Sequence, residues 1–302
     1  ARDEALLGEA ISKKPRPLVN RRLVEPRRPY FERILTMAAA ILLCGSILWA
    51  IFAPSSRKDP AQESKPALPA NDDRITIVLD EAKQIKMEFV RIKAGKFAMG
   101  DENNGPVHEV TISKDYWMQT TETTQAQWEA VMGKNPSHFK GADLPVENVR
   151  WADCQDFLKK LNEKAKDQLK GKAAKLPTEA EWEYACRAGE KGKWCFGDDE
   201  KKLGDYAWYR ENADKKTHPV GQKKANAWGL YDMHGNVWEW CEDWYEKYSS
   251  EAVTDPTGPA KGTARCIRGG GWSDVGDYTR SSFRDWYVPS LRSGDGLRVA
   301  LR

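Results

Sequence analysis

The 302 residues suffice for one large or two ordinary domains. Forty-eight basic against 45 acidic residues leave a net charge of +3, which gives no support to a nucleic-acid partner. Twelve of the 13 tryptophans lie between Trp117 and Trp286, so that region has the side chains for a large aromatic core.

Residues 1–33 are basic and proline-bearing, with Lys13, Lys14, Arg16, Arg21, Arg22, Arg27, Arg28 and Arg33, and show no hydrophobic period; they read as a disordered cytoplasmic tail. Residues 34–53 form an uncharged run that includes Leu35, Ile41, Leu42, Leu43, Ile47, Leu48, Trp49, Ile51 and Phe52. About 20 apolar residues cross a bilayer, so this run predicts one transmembrane helix. The long basic lead and the lack of a small-x-small site argue against a cleaved signal peptide, and the large residue before Cys44 against a lipoprotein site. Six Arg lie within 20 residues before the span, against Arg57, Lys58 and Lys65 after it. The positive-inside rule then places the N-terminus in the cytoplasm and everything after the span outside. Residues 54–75, rich in Pro, Ser, Ala and charge, read as a linker. The chain starts at Ala1 rather than Met, which leaves an upstream segment open.

A globular domain is predicted over residues 76–302. Ile75, Ile77 and Leu79 alternate, as do Val90 and Ile92 against Phe89, Arg91 and Lys93. Ala94-Gly95 turns the chain into Phe97-Ala98-Met99-Gly100, and residues 107–112 read as another strand. Helices are predicted at three places. Thr124 with Gln127 has capping-box spacing ahead of Trp128, Val131 and Met132, with Gly133 as the stop. Residues 151–161 carry the amphipathic set Trp151, Cys154, Phe157, Leu158 and Leu161. Thr178 with Glu181 repeats the capping box before Trp182, and Gly189 ends it. Beyond Gly189 the sequence predicts loops and short strands, and so much aromatic content in a loop-rich half points to ordered, functional loops. Residues 296–302 read as one alternating terminal strand.

Within that half, Gly229-Leu230-Tyr231-Asp232-Met233-His234-Gly235-Asn236-Val237-Trp238-Glu239-Trp240 crowds aromatics, glycines and carboxylates together. A compact turn at a core edge, around a bound ion, meets all their demands. Six motifs occur in order: Phe97-Ala98-Met99-Gly100, Thr123-Thr124-Gln125-Ala126-Gln127-Trp128, Leu144-Pro145-Val146-Glu147-Asn148-Val149, Leu176-Pro177-Thr178-Glu179-Ala180-Glu181-Trp182-Glu183, Gly235-Asn236-Val237-Trp238-Glu239-Trp240 and Arg268-Gly269-Gly270-Gly271-Trp272. Together they resemble the formylglycine-generating enzyme, or sulfatase-modifying factor, family over roughly residues 76–302. The resemblance implies an α+β domain with a C-type-lectin-like core and little regular secondary structure.

Enzymes of that family oxidise a sulfatase cysteine to formylglycine, using a copper-binding cysteine pair shortly after the Arg-Gly-Gly motif. Here those positions are Asp274 and Thr279. Neither a carboxylate nor a hydroxyl binds Cu(I) as a thiolate does or cycles through a disulfide, so copper and the oxidase activity are not expected. Cys266 lies before the motif, and the lack of His-x3-His-x-Glu argues against the thiohistidine-biosynthesis branch. By the same resemblance, Asp232 and Glu239 by side chain and Gly235 and Val237 by carbonyl match positions that hold a structural calcium ion. The alternative has Asp232 capping a turn and Glu239 solvated or paired with an Arg.

Other members are binding proteins, whose variable segment corresponds to residues 272–296. In it Trp272, Asp274, Asp277, Tyr278, Thr279, Arg280, Arg284 and Trp286, with Asp285 and Tyr287, mix aromatics and both charges as ligand-binding surfaces do. The alternative pairs Arg280 and Arg284 internally with Asp274, Asp277 or Asp285 and puts Trp272 in the core. Five cysteines follow the span, and Cys186 and Cys195 are either a disulfide or two buried thiols. The resulting expectation is a single-pass membrane protein whose extracytoplasmic domain binds a protein or peptide and has lost the oxidase chemistry. A formylglycine-generating oxidase and the sensory tail of a membrane signalling protein are the competing readings.

Overall fold

The computed structural model describes residues 73–302. The predicted tail, transmembrane helix and nearly all of the linker lie outside the described residues. Among the described residues, no helix is long and apolar enough to cross a membrane.

The central sheet has five strands, β1 (Arg74–Asp80), β2 (Ile85–Ile92), β5 (Tyr116–Gln119), β14 (Ala300–Leu301) and β6 (Ala174–Lys175), antiparallel throughout and in that order. A second sheet runs β10 (Val253–Thr254), β4 (His108–Ile112), β3 (Gly95–Met99). A third runs β12 (Arg284–Tyr287), β11 (Arg265–Arg268), β9 (Trp238–Trp244), β13 (Asp295–Gly296), with β13 parallel to β9. A two-stranded parallel pair joins β7 (Ala207–Trp208) to β8 (His234–Gly235).

The helices start where their caps predict. In α1 (Gln125–Met132) Thr124 accepts from the Gln127 amide while Gln127 accepts from the Thr124 amide, and Gly133 closes the helix at φ 72°. In α3 (Glu179–Arg187) Thr178 and Glu181 form the same reciprocal box. Between them, α2 (Trp151–Lys164) runs a turn longer than its apolar set, with Asp153 accepting from the Arg150 amide at its start.

Two apolar clusters lie on opposite faces of β2. Met87 and Phe89 enter a cluster with Trp128, Phe157, Trp238 and Trp240, where Trp128 and Phe157 stack at 4.9 Å. Val90 and Ile92 enter another with Trp182, Tyr116 and Val110. A strand covered on both sides shows no clean polar alternation, which is why the pattern around Phe89 was only half legible. The terminal segment departs from the single strand predicted. It breaks into β13 and β14, which belong to different sheets, and residues 295–301 are buried throughout.

Candidate functional site

The turn at 232–237 needs backbone that few residues supply. Asp232, Gly235 and Asn236 have φ of 57°, 107° and 60°. A Cβ on Gly235 would lie 2.2 Å from the Trp208 carbonyl oxygen, so only glycine fits there. Asn236 ties the turn to distant elements. Its amide nitrogen Nδ2 donates to Glu122 (2.7 Å), its Oδ1 accepts from the His218 amide (2.9 Å), and its carbonyl accepts from the Trp272 amide (2.8 Å). Glu122 also accepts from the Val237 amide at 3.1 Å. The turn then leads directly into β9, a strand that the expectation of a compact loop did not include.

Three buried carboxylates gather at this turn, Glu122, Asp232 and Glu239, facing the fully buried Arg298. Arg298 donates to Glu239 at 2.8 Å, to the Gln119 carbonyl at 3.0 Å and to the Tyr231 carbonyl at 2.8 Å. Trp182 Nε1 donates to the other Glu239 oxygen at 2.8 Å. Burial, reinforced by Asp232 and Glu239, pushes the Glu122 carboxyl well above its ordinary range. Burial likewise raises Asp232 to about 6. One Asp232 oxygen accepts from the Gly221 amide (2.6 Å), while the other is buried with no hydrogen-bond partner.

These observations bear on the calcium expectation. An orphaned carboxylate oxygen in an acid-rich, buried turn suits a hard cation. Glu239, by contrast, already receives Arg298 and Trp182, as the arginine-pairing alternative has it. Among the described residues no three His, Cys, Asp or Glu side chains converge on one metal position. An ion here would therefore rely on Asp232 and on the carbonyls of Gly235 and Val237 beside Glu239.

A second charged network anchors the segment after β11. Arg268, fully buried, donates to Glu183 and to the Ser281 carbonyl (3.1 Å) and lies 3.6 Å from Glu179. Arg284 grips Glu179 through two bonds of 2.7 and 2.6 Å. Burial raises the Glu179 carboxyl, but Arg284 and Arg268 outweigh it and hold it below its ordinary range. The spacing of Glu179, Glu183 and Arg187 along α3 was the available signal for this network, since residues four apart share a helix face.

The structure distributes the expected ligand residues unequally. Thr279 is buried; its hydroxyl donates to the Gly276 carbonyl (2.8 Å) and accepts from Trp194 Nε1 (3.1 Å). Arg284 is buried, with its guanidinium on Glu179. Burial thus keeps both from lining the expected surface. Asp274 accepts from Trp238 Nε1 (2.7 Å) and the Gly271 amide (3.1 Å), which builds the loop. Arg280 pairs with Asp101 at 2.9 Å and lies 3.7 Å from the exposed Asp277. Trp272, Tyr278 and Trp286 are half-buried rather than core. Trp272 meets Phe139 edge-on, Tyr278 stacks on Phe283 at 4.5 Å, and Trp286 lies tilted to Tyr245.

All five cysteines of the described residues are free; Cys186 is buried and Cys195 half-buried. His234 sits beside both: Nδ1 donates to the Thr279 carbonyl (2.7 Å), Nε2 accepts from the Cys195 amide (3.2 Å), and Cys186 Sγ is 3.9 Å from the ring. Sequence reasoning missed Glu122 and Arg298. Arg298 looked like an outward position of a terminal strand, because it lies between the apolar Leu297 and Val299 in an alternating pattern.

A family profile described as "Sulfatase-modifying factor enzyme 1-like domain" matches residues 77–302. The chaperone protein LppX of Paenibacillus barcinonensis is 34% identical over 261 residues, 71% of this chain and 88% of that protein. The formylglycine-generating enzyme of Streptomyces coelicolor is 32% identical over 193 residues, 58% of each chain. The serine/threonine-protein kinase pkn1 of Chlamydia caviae is 28% identical over 264 residues, 74% of this chain but 40% of the kinase. Among solved structures, Treponema denticola variable protein 1 superposes with a TM-score of 0.71 at 34% identity, covering 76% of this chain and 99% of its own.

Proposed function

The chain belongs to the sulfatase-modifying factor family, and from that premise we propose that its domain is a binding module rather than an oxidase. The observation that carries this reading is the state of the two positions where the resemblance expects cysteines. Asp274 and Thr279 are hard-oxygen side chains committed to building their own loop through Trp238, Gly271, Trp194 and Gly276. Neither supplies the soft ligand that Cu(I) takes. Cys266, just upstream, is buried with its thiol directed at Glu179 (3.3 Å). Relatives named for a chaperone and for a variable protein support a role other than oxidation, while the Streptomyces relative keeps formylglycine generation as the alternative.

The partner is a protein or peptide that meets Trp272, Tyr278, Trp286 and the exposed Asp277. Half-buried aromatics beside charge are the composition of interface anchors. A structural calcium ion at the Asp232 turn, anchoring through residues 34–53 and an extracytoplasmic setting are parts of the same proposal. The full chain, given Cu(I) and a Cys-x-Pro-x-Arg peptide, is expected to leave the peptide thiol intact. An aldehyde product with loss of the thiol mass would overturn the reading. A second reading, the sensing end of a membrane signalling protein, is favoured by the kinase relative, of which this chain spans 40%. The coding sequence upstream of Ala1 decides it: a kinase domain there supports the sensor.

A further inference from the structure

The pairing of β9 with β11 runs Arg268 to Glu239 and Ile267 to Trp240. One more step in that antiparallel register sets Cys266 opposite Cys241. The ladder is irregular at Cys266 itself: it resumes at Arg265 to Trp244, so Cys241, Glu242 and Asp243 of β9 lie against this one residue, and Cys241 is the one that continues the Ile267 register. Residues opposite each other in a sheet point to the same face. Trp240 and Ile267 accordingly share one core cluster, while Cys241 and Cys266 share the other. Opposed residues have Cα atoms about 4.5–5.5 Å apart, within the roughly 4.4–6.8 Å that a disulfide spans. Both thiols are free and fully buried. Of the other described cysteines, Cys154 lies in the first cluster, Cys186 lies in the second with its thiol against His234, and Cys195 meets His234 through its amide.

We propose that Cys241 and Cys266 form a cross-strand disulfide that locks β9 to β11 when the domain folds in an oxidising environment. The proposal does not depend on the binding-module reading. One S–S bond forms and two S–H bonds break; the two electrons and two protons pass to an oxidised disulfide such as glutathione disulfide, which becomes two thiols. Closure takes place as the core assembles or opens, because burial keeps both thiols protonated in the native state. It has a consequence for the neighbouring segment. The Cys266 thiol now donates to Glu179, the carboxylate that holds Arg284 of β12. Oxidation removes that donor, so the redox state of β9 and β11 reaches the strand beside the proposed ligand surface.

The test refolds the reduced full chain, in detergent, in a glutathione and glutathione disulfide buffer, with tryptophan fluorescence reporting the fold. Acid quenching, alkylation and mass spectrometry without reduction then read the linkage. The expected result is one peptide pair joining Cys241 to Cys266 and two fewer alkylated cysteines. C241S and C266S should each lose the pair and expose the remaining thiol. Folded protein with both cysteines alkylated, or a bridge between Cys186 and Cys195 instead, overturns the proposal. Should refolding fail, native protein held with glutathione disulfide in sub-denaturing urea gives the same readout, and an unbridged Cys241 there overturns it equally.

Discussion

Replacing Arg298 by methionine takes the guanidinium from a buried cluster in which it bonds Glu239 and offsets the charges of Glu122 and Asp232. The side chain has nearly the same apolar length, so the loss is electrostatic rather than a cavity. Removing one partner of a buried ion pair costs about 3–5 kcal/mol, because the other charge stays buried without compensation. Here the Gln119 and Tyr231 carbonyls lose donors as well, so the upper half of that range applies. Against a total stability of about 5–15 kcal/mol this is about a quarter or more. The dependence on pH carries more information than the size. Glu122 and Asp232 have carboxyls raised by burial, Asp232 to about 6. A raised acid contributes stability that is present below its unfolded value and lost as pH rises through its folded one. The cost of R298M should therefore be larger at pH 8 than at pH 5, where protonated carboxyls need the arginine less. Urea unfolding followed by tryptophan fluorescence at the two values measures it. A cost below about 1 kcal/mol at both, or one that grows on acidification, refutes the reasoning.

The Asp295 carboxyl is raised to about 7 by burial and by the Asp285 and Asp274 charges, against the Ser293 bond that lowers it. Its stabilising share is therefore lost between the ordinary carboxylate range and pH 7, and D295N should melt above the parent at pH 8 but not at pH 4; parallel melting curves across that window would sink the idea. Gly235→Ala forces a Cβ against the Trp208 carbonyl at a φ of 107°, and should cost more than about 4 kcal/mol or abolish soluble protein. A melting temperature within a few degrees of the parent would contradict it. Calcium in excess over EDTA should raise the melting temperature of the parent and not that of D232N, since Asp232 holds the orphaned oxygen. Equal melting of the parent with and without calcium removes the ion from the proposal.

Legibility followed the range of the interactions. The caps of α1 and α3 join residues three apart, so Thr124 with Gln127 and Thr178 with Glu181 announced both helix starts. The turn at Asp232 was legible as a turn, because Gly235 and Asn236 tolerate its backbone. Strand β9 was not, since Trp238, Trp240 and Cys241 are buried on both its faces and the period of two is lost. The identities of positions 274 and 279 were legible at once. What Asp274 and Thr279 bond to needed the fold.

The amino-acid sequence by itself determined the family, the helix starts, the order of motifs and the oxygen chemistry at positions 274 and 279. Tertiary structure decided which charges are buried and with whom. Arg298 meets Glu239 across 59 residues, Arg284 meets Glu179 across 105, and Asn236 meets Glu122 across 114. Such pairings leave no local pattern, because a charge survives burial only through a partner that the fold, not the neighbouring sequence, brings to it.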